Sequence, residues 1–261
     1  MKLDNAVAEV DGKEYEKLED AIDNAQNGDT ITLLADATLS KNYRLSADKE
    51  ITLDLNGWTV TSETAGTWVL MVQGKLTLED SDGNGKITTM GDNGHNSYAV
   101  IVNGSGSSLN MESGMIECDE DETALQVQLG AKFQMHGGVI YGDPEGGDNG
   151  GLIMVGGQAT IDGGRIETGG TAVQVAAYED YPAALTLEDG EISGGNFGIT
   201  VIGVGKKDCQ ATLEIHGGTI ISPNGAAITG NGTNEPNNSS AWTTIKITDG
   251  EIQGVVGMYL P

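Results

Sequence analysis

Two of the three histidines in this 261-residue chain, His136 and His216, occupy the same place in two similar octapeptides, "FQMHGGVI" and "LEIHGGTI". In four more octapeptides, "LNMESGMI", "ATIDGGRI", "LTLEDGEI" and "IKITDGEI", that place is held by Glu112, Asp162, Glu188 and Thr248. Histidines among carboxylates can pass a proton or share a divalent ion. If the chain is an enzyme, Glu112, His136, Asp162, Glu188 and His216 are its catalytic candidates. The other chemistry open to them is an electrostatic ladder, with His136 between Glu112 and Asp162, and Arg165 near Asp162 and Glu191. Exposed ladders contribute little pair by pair. Catalysis needs convergent geometry rather than a row, so the ladder is the expectation.

A second group is acidic. The segments "TTMGDNGHNSY", "ECDEDET" and "YGDPEGGDNGG" carry Asp92, Asp119, Glu120, Asp121, Glu122, Asp143, Glu145 and Asp148, with no Lys or Arg among them. Two like charges about 4.8 Å apart repel by about 0.9 kcal/mol even in a fully aqueous dielectric. Calcium, which takes six to eight oxygen ligands in flexible geometry, is the natural counter-ion. The expected site draws on Asp119, Asp121, Asp143 and Asp148, with Asp92 and Glu145 in reserve. Neither the EF-hand spacing nor the Gly-Gly-x-Gly-x-Asp nonapeptide is present. The alternative is a solvated acidic rim.

A third group is aromatic. The segments "AAYEDYPAA", "GVGKKDCQA" and "NGTNEPNNSSAW" combine Tyr178, Tyr181 and Trp242 with Lys206, Lys207, Asp208 and several Asn. Exposed aromatic rings beside amides are surfaces on which sugars or protein partners stack. Tyrosines folded back over an edge of the structure are the alternative.

The elements that position these residues follow from the repetition itself. Successive octapeptides start 24, 26, 26, 28 and 32 residues apart, a period that points to a solenoid. Each unit offers an alternating strand, a glycine bend into a short Ile-centred strand, and a third apolar strand such as "AVIV", "ALQVQL" or "GITVI". The repeated glycine suits a corner with unusual backbone angles. Earlier segments, "ITLDLNGW" with "WVLMV" and "LTLEDSDGNGKI", are the same unit with altered turns. Strands that return without helices coil into a parallel β-helix of roughly nine coils, and a right-handed crossover is expected. Octapeptide positions one, three and eight then face inward, and position four, with the histidines, faces out. Ahead of the coils, Leu18, Ala21, Ile22 and Ala25 fall at helical spacing, and Gly28 stands where a C-terminal cap belongs. That helix would seal the first coil. Residues 1–29 are therefore the cap and 30–261 the all-β solenoid.

The cap and the Gly-Ile coils together resemble the pectate-lyase-like superfamily, the right-handed β-helix proteins of bacterial surfaces and polysaccharide enzymes. The resemblance covers the chain as architecture and implies extracellular glycan work without naming a reaction. Lyases of that superfamily use a Lys or Arg base with calcium, and its glycosidases use clustered Asp. Neither cluster is visible here. The "IHGG" at Ile215 is similar to the Gly-His-Gly of polygalacturonases, but the accompanying Asp-Asp and Arg-x-Lys motifs are missing.

Composition narrows the partners. With 39 acidic against 13 basic side chains the net charge is −26, which excludes nucleic acid and disfavours anionic membranes and polyuronates. No apolar run is long enough to insert in a membrane. A signal-peptide core is missing behind Met1, and "MYLP" stops partway through a coil, so a domain of a longer secreted or cell-wall chain is expected. Cys118 and Cys209 lie several coils apart, too far for a disulfide. Three functions remain: a non-catalytic adhesin or carbohydrate-binding module, a polysaccharide-degrading enzyme, and a structural stalk. The first is expected, as a monomer whose partner is a glycan or a host or cell-surface protein.

Overall fold

The computed structural model describes residues 3–63, 68–89, 98–118, 122–143, 145, 150–203, 209–230 and 242–260. Strand accounts for 62% and helix for 3%, in a β-solenoid of about seven turns. Three strands make each turn, and every strand pairs in parallel with its equivalent one turn away. On the first face the central inward residues run Ile31, Leu53, Leu78, Met111, Met135, Ile161, Leu187, Ile215 and Ile247. Those nine levels include the strands that begin and finish the stack, which reconciles them with seven full turns.

The second face carries the octapeptide's last position. Val60, Ile87, Ile116, Ile140, Ile166, Ile192, Ile220 and Ile252 are stacked in register, and all but Ile252 are buried. The third face adds Leu70, Val100, Leu125, Leu152, Val173, Ile199 and Ile228. Alternate residues of all three faces thus meet in one dry core, as positions one, three and eight require. The exception is the last level, where Ile247 is 40% exposed.

The corner between the first two faces is made by the repeated glycine. Gly114, Gly138, Gly164, Gly190, Gly218 and Gly250 all have positive φ, between 77° and 113°. Only glycine adopts this conformation without strain. They also stack: a Cβ on Gly138 would lie 2.5 Å from the Gly114 carbonyl oxygen, and one on Gly164 2.8 Å from that of Gly138. Levels lacking this glycine solve the corner with carboxylates. Asp80 accepts hydrogen bonds from the Gly57 and Gly85 amides at 2.7 and 2.6 Å. Asp54 accepts from the Asn56 and Ser81 amides and the Ser81 hydroxyl, each at 2.9 Å. Both carboxylates are buried, and such satisfaction is what permits it.

At the N-terminal end, the hairpin Ala8–Val10 and Lys13–Tyr15 turns through Asp11-Gly12, both with positive φ. Its first strand pairs antiparallel with Thr30–Leu33. The helix Leu18–Asn24 buries Leu18, Ala21 and Ile22, and Ile22 closes the end of the core opposite Leu45, Ile51, Leu53, Leu70 and Leu76. The expected Gly28 cap is corrected. The chain leaves the helix at Ala25 in an extended conformation, and the Lys49 ammonium donates instead to the Asp23 and Ala25 carbonyls at 3.0 and 2.6 Å. A cation at the carbonyl end of a helix satisfies the same orphaned acceptors. Gly28 has φ 94° and donates its amide to Glu50, one level on. Cys118 and Cys209 are buried free thiols.

Candidate functional site

Position four of the first-face octapeptide forms a strip along the solenoid, in which Asp54 is buried at the corner and the residues from Glu79 onward reach the surface. The strip begins two levels earlier than the octapeptides reveal. Asp54 is in register with Glu79, and Glu79 is followed by Glu112. Burial, then the neighbouring Asp54 and Glu112, hold the Glu79 carboxyl above its usual range. Three acids in succession repel one another there, and one of them resists ionising.

Below Glu112 the strip changes character. His136 Nδ1 lies 2.7 and 2.9 Å from the two Asp162 oxygens. Three levels on from His136, His216 Nδ1 lies 2.9 Å from Glu188 Oε1, with Glu214 Oε2 3.6 Å from Nε2. Glu112 instead accepts from the Asn110 amide at 2.6 Å. Between the two histidine pairs the register slips: Asp162 stands opposite Asp189 rather than Glu188. The row therefore divides into two separate histidine–carboxylate pairs. Arg165 bonds Glu167 on its own strand at 3.3 Å, with Glu191 as its register partner. The histidine pairs are open to solvent, His136 and Asp162 being 38% and 40% exposed, where water screens such attraction.

Of the expected calcium ligands, Asp119, Asp121 and Asp148, and Asp92 in reserve, lie outside the described residues. Asp143 is buried, and its Oδ1 accepts from the Glu145 amide at 2.7 Å in a local turn. Its carbonyl accepts from the Thr168 hydroxyl and the Gly169 amide, tying this loop to the next level. Nearby, burial above all pushes the Cys118 thiol up to about 12, and Sγ donates to the Glu122 carbonyl at 3.2 Å. The thiol stays neutral and serves as packing. Among the described residues, no three His, Cys, Asp or Glu side chains cluster closely enough to hold a metal ion.

Of the expected ligand-binding residues, Tyr178 and Tyr181 flank a tight turn closed by two backbone hydrogen bonds, Tyr178 amide to Tyr181 carbonyl at 2.9 Å and the reverse at 2.8 Å. Glu179 supplies the positive φ that the turn needs. The Tyr181 Cβ presses on Gly156, and its ring edge reaches Gly130 another level back. Both rings remain open to solvent, at 43% and 37%. Tyr181 folds back across two coils and still presents a face. Trp242 is half-buried and immediately precedes the strand Thr243–Ile247 two levels farther on, and Lys206 and Lys207 lie outside the described residues.

A second aromatic surface escaped the sequence argument. Trp68 and Tyr98 begin third-face strands in register on adjacent levels, with the Arg44 guanidinium 5.0 Å from the Trp68 ring. Both residues head runs whose apolar character marks them as core, and their partial exposure shows only in the register.

No family model matches the chain, and neither a curated protein nor a solved structure matches it. The likeness to the pectate-lyase-like superfamily accordingly rests on the stacked parallel coils alone.

Proposed function

We propose that this solenoid is a non-catalytic extracellular binding module whose ligand is a neutral glycan. The observation that carries the proposal is the Tyr178–Tyr181 turn. Two solvent-open tyrosine rings stand on a hydrogen-bonded turn, one of them braced against Gly156 and Gly130 of the preceding coils. Rigid aromatic faces lose little conformational freedom on binding and match the apolar faces of sugar rings. The net charge of −26 favours neutral over anionic polysaccharides. A glycan array with the intact chain, repeated with Tyr178→Ala and Tyr181→Ala, tests this. Binding to neutral glycans lost in either variant supports it. No binding, or binding indifferent to both variants, overturns it.

The His136–Asp162 pair favours a second reading, a polysaccharide-degrading enzyme. A carboxylate bonded to Nδ1 orients an imidazole as in acid–base dyads. Reducing-end assays on neutral and acidic polysaccharides, with His136→Ala and His216→Ala, separate the two. An activity abolished by either variant promotes the enzyme, whereas inactivity throughout leaves the binding module in place.

A further inference from the structure

Position five of the octapeptide, just ahead of the corner glycine, is small in four units: Ser113, Gly137, Gly163 and Gly217. In the other two it is Asp189 and Asp249. An aspartate followed by glycine can close on itself, because glycine has no Cβ to shield its amide nitrogen from the neighbouring carboxyl. Here the two groups already meet. The Gly190 amide lies 2.7 Å from Asp189 Oδ1, and the Gly250 amide 2.8 Å from Asp249 Oδ1. The carboxyl carbon is one bond beyond the oxygen that the nitrogen touches, which is the approach that ring closure needs. Asp189 is exposed, so water reaches it.

Elsewhere the fold keeps such groups apart. Asn27, Asn56, Asn84 and Asn103 are also followed by glycine, but there the glycine amide donates to a different partner. Gly28 donates to the Glu50 carbonyl, Gly57 and Gly85 to the Asp80 carboxylate, and Gly104 to the Gln128 carbonyl. At Asp162–Gly163 both carboxylate oxygens turn to His136 Nδ1. At Asp189–Gly190, with a coil on either side, the amide and the carboxyl of one corner face each other.

We infer that Asp189–Gly190 is a site of spontaneous backbone isomerisation that disrupts its own coil. The Gly190 nitrogen bonds to Asp189 Cγ, and its proton leaves with the carboxyl hydroxyl as water, closing a five-membered succinimide. A second water opens the ring. Breaking the bond from nitrogen to Cγ restores aspartate. Breaking the bond from nitrogen to the Asp189 main-chain carbonyl carbon leaves isoaspartate, with the chain running through Cβ and Cγ and the carboxylate on Cα. One water leaves and one returns, and nothing is oxidised. The product does not fit the stack. A Cβ on Gly190 would lie 2.9 Å from the Gly164 carbonyl oxygen, and one on Gly218 2.8 Å from that of Gly190. An extra main-chain carbon between such corners forces this level out of a close-packed column.

Incubating the intact chain in water enriched in heavy oxygen, folded and in guanidinium chloride, marks each ring opening with one heavy atom. Peptide mass spectrometry assigns the mark to its residue. Asp189 should label at least as fast folded as unfolded, and Asp162 at least about tenfold more slowly folded than unfolded. Asp189→Glu, whose longer side chain must close a larger ring, should keep the parent's circular dichroism and carry no label at that position. The isomerised fraction, separated by ion exchange, should melt below the parent. Labelling of Asp189 that slows on folding overturns the inference, as does Asp162 keeping pace with it or label persisting in Asp189→Glu. An isomerised fraction that melts with the parent overturns the disruption of the coil.

Discussion

At the scale of the residue, the corner glycines carry two requirements at once, and these can be separated. Gly164 needs φ 80° and also lies against the Gly138 carbonyl. Gly104 needs φ 95°, and a Cβ placed on it would meet no atom within 4 Å. Gly104→Ala should cost the backbone strain alone, about 1–2 kcal/mol. Gly164→Ala should cost about 3 kcal/mol or more, because the coil below must shift as well. Denaturant midpoints of the two variants check the difference, and equal losses would mean that contact between coils adds nothing. Glu79 makes a pH-dependent case. Its carboxyl is raised in the folded state by burial and by Asp54 and Glu112. The protonated form is favoured on folding, so its contribution is present in acid and is lost as pH rises through the folded value. Glu79→Gln should therefore raise the melting temperature at pH 7, with the gain vanishing near pH 4. A variant no more stable than the parent at pH 7 would remove the carboxylate repulsion from the account.

At the scale of the element, the coils were legible because their signal is repeated. The Ile of position eight and the Gly of position six recur in six octapeptides, and each sits where the spacing places it, inward and at positive φ. The helix was legible from Leu18, Ala21 and Ile22, but its cap was not, since Lys49 comes from a distant segment and leaves no local mark. The outward strip was visible as a row of six. Its two positions upstream, Asp54 and Glu79, fell outside that row because their units have altered turns, in which Asp80 and Asp54 accept hydrogen bonds from the corner amides. Its division into two pairs was hidden because a register slip at Asp162 is a three-dimensional event. The loops carry the calcium proposal. A native-state site drawing on Asp119, Asp121, Asp143 and Asp148 should raise the melting temperature in step with the logarithm of free calcium. Thermal unfolding in calcium, magnesium and chelator at matched ionic strength decides it, and coincident curves would leave a solvated rim.

At the scale of the whole molecule, charge and hydrophobic burial oppose each other. A single continuous apolar core runs from Ala8 to Ile228, inside a shell whose net charge is −26. Raising ionic strength should stabilise the chain by screening that self-repulsion, visible as a higher urea midpoint in about 0.5 M sodium chloride than in about 20 mM. A midpoint that falls with salt would show instead that ion pairs such as Lys86–Glu117 at 2.7 Å outweigh it.

The parallel register also fixes how the rod answers to force. The hydrogen bonds between levels run along the solenoid, and the two chain ends lie at opposite ends of the stack. A pull on the ends loads those bonds in tension, one level at a time at the exposed terminal strand, instead of shearing many at once. The chain should peel rather than snap. Each level released from the octapeptide region frees 24 to 32 residues, or about 80–110 Å of extended polypeptide at about 3.4 Å per residue. Under such a pull the rod lengthens in measured steps while the coils behind the break keep their shape.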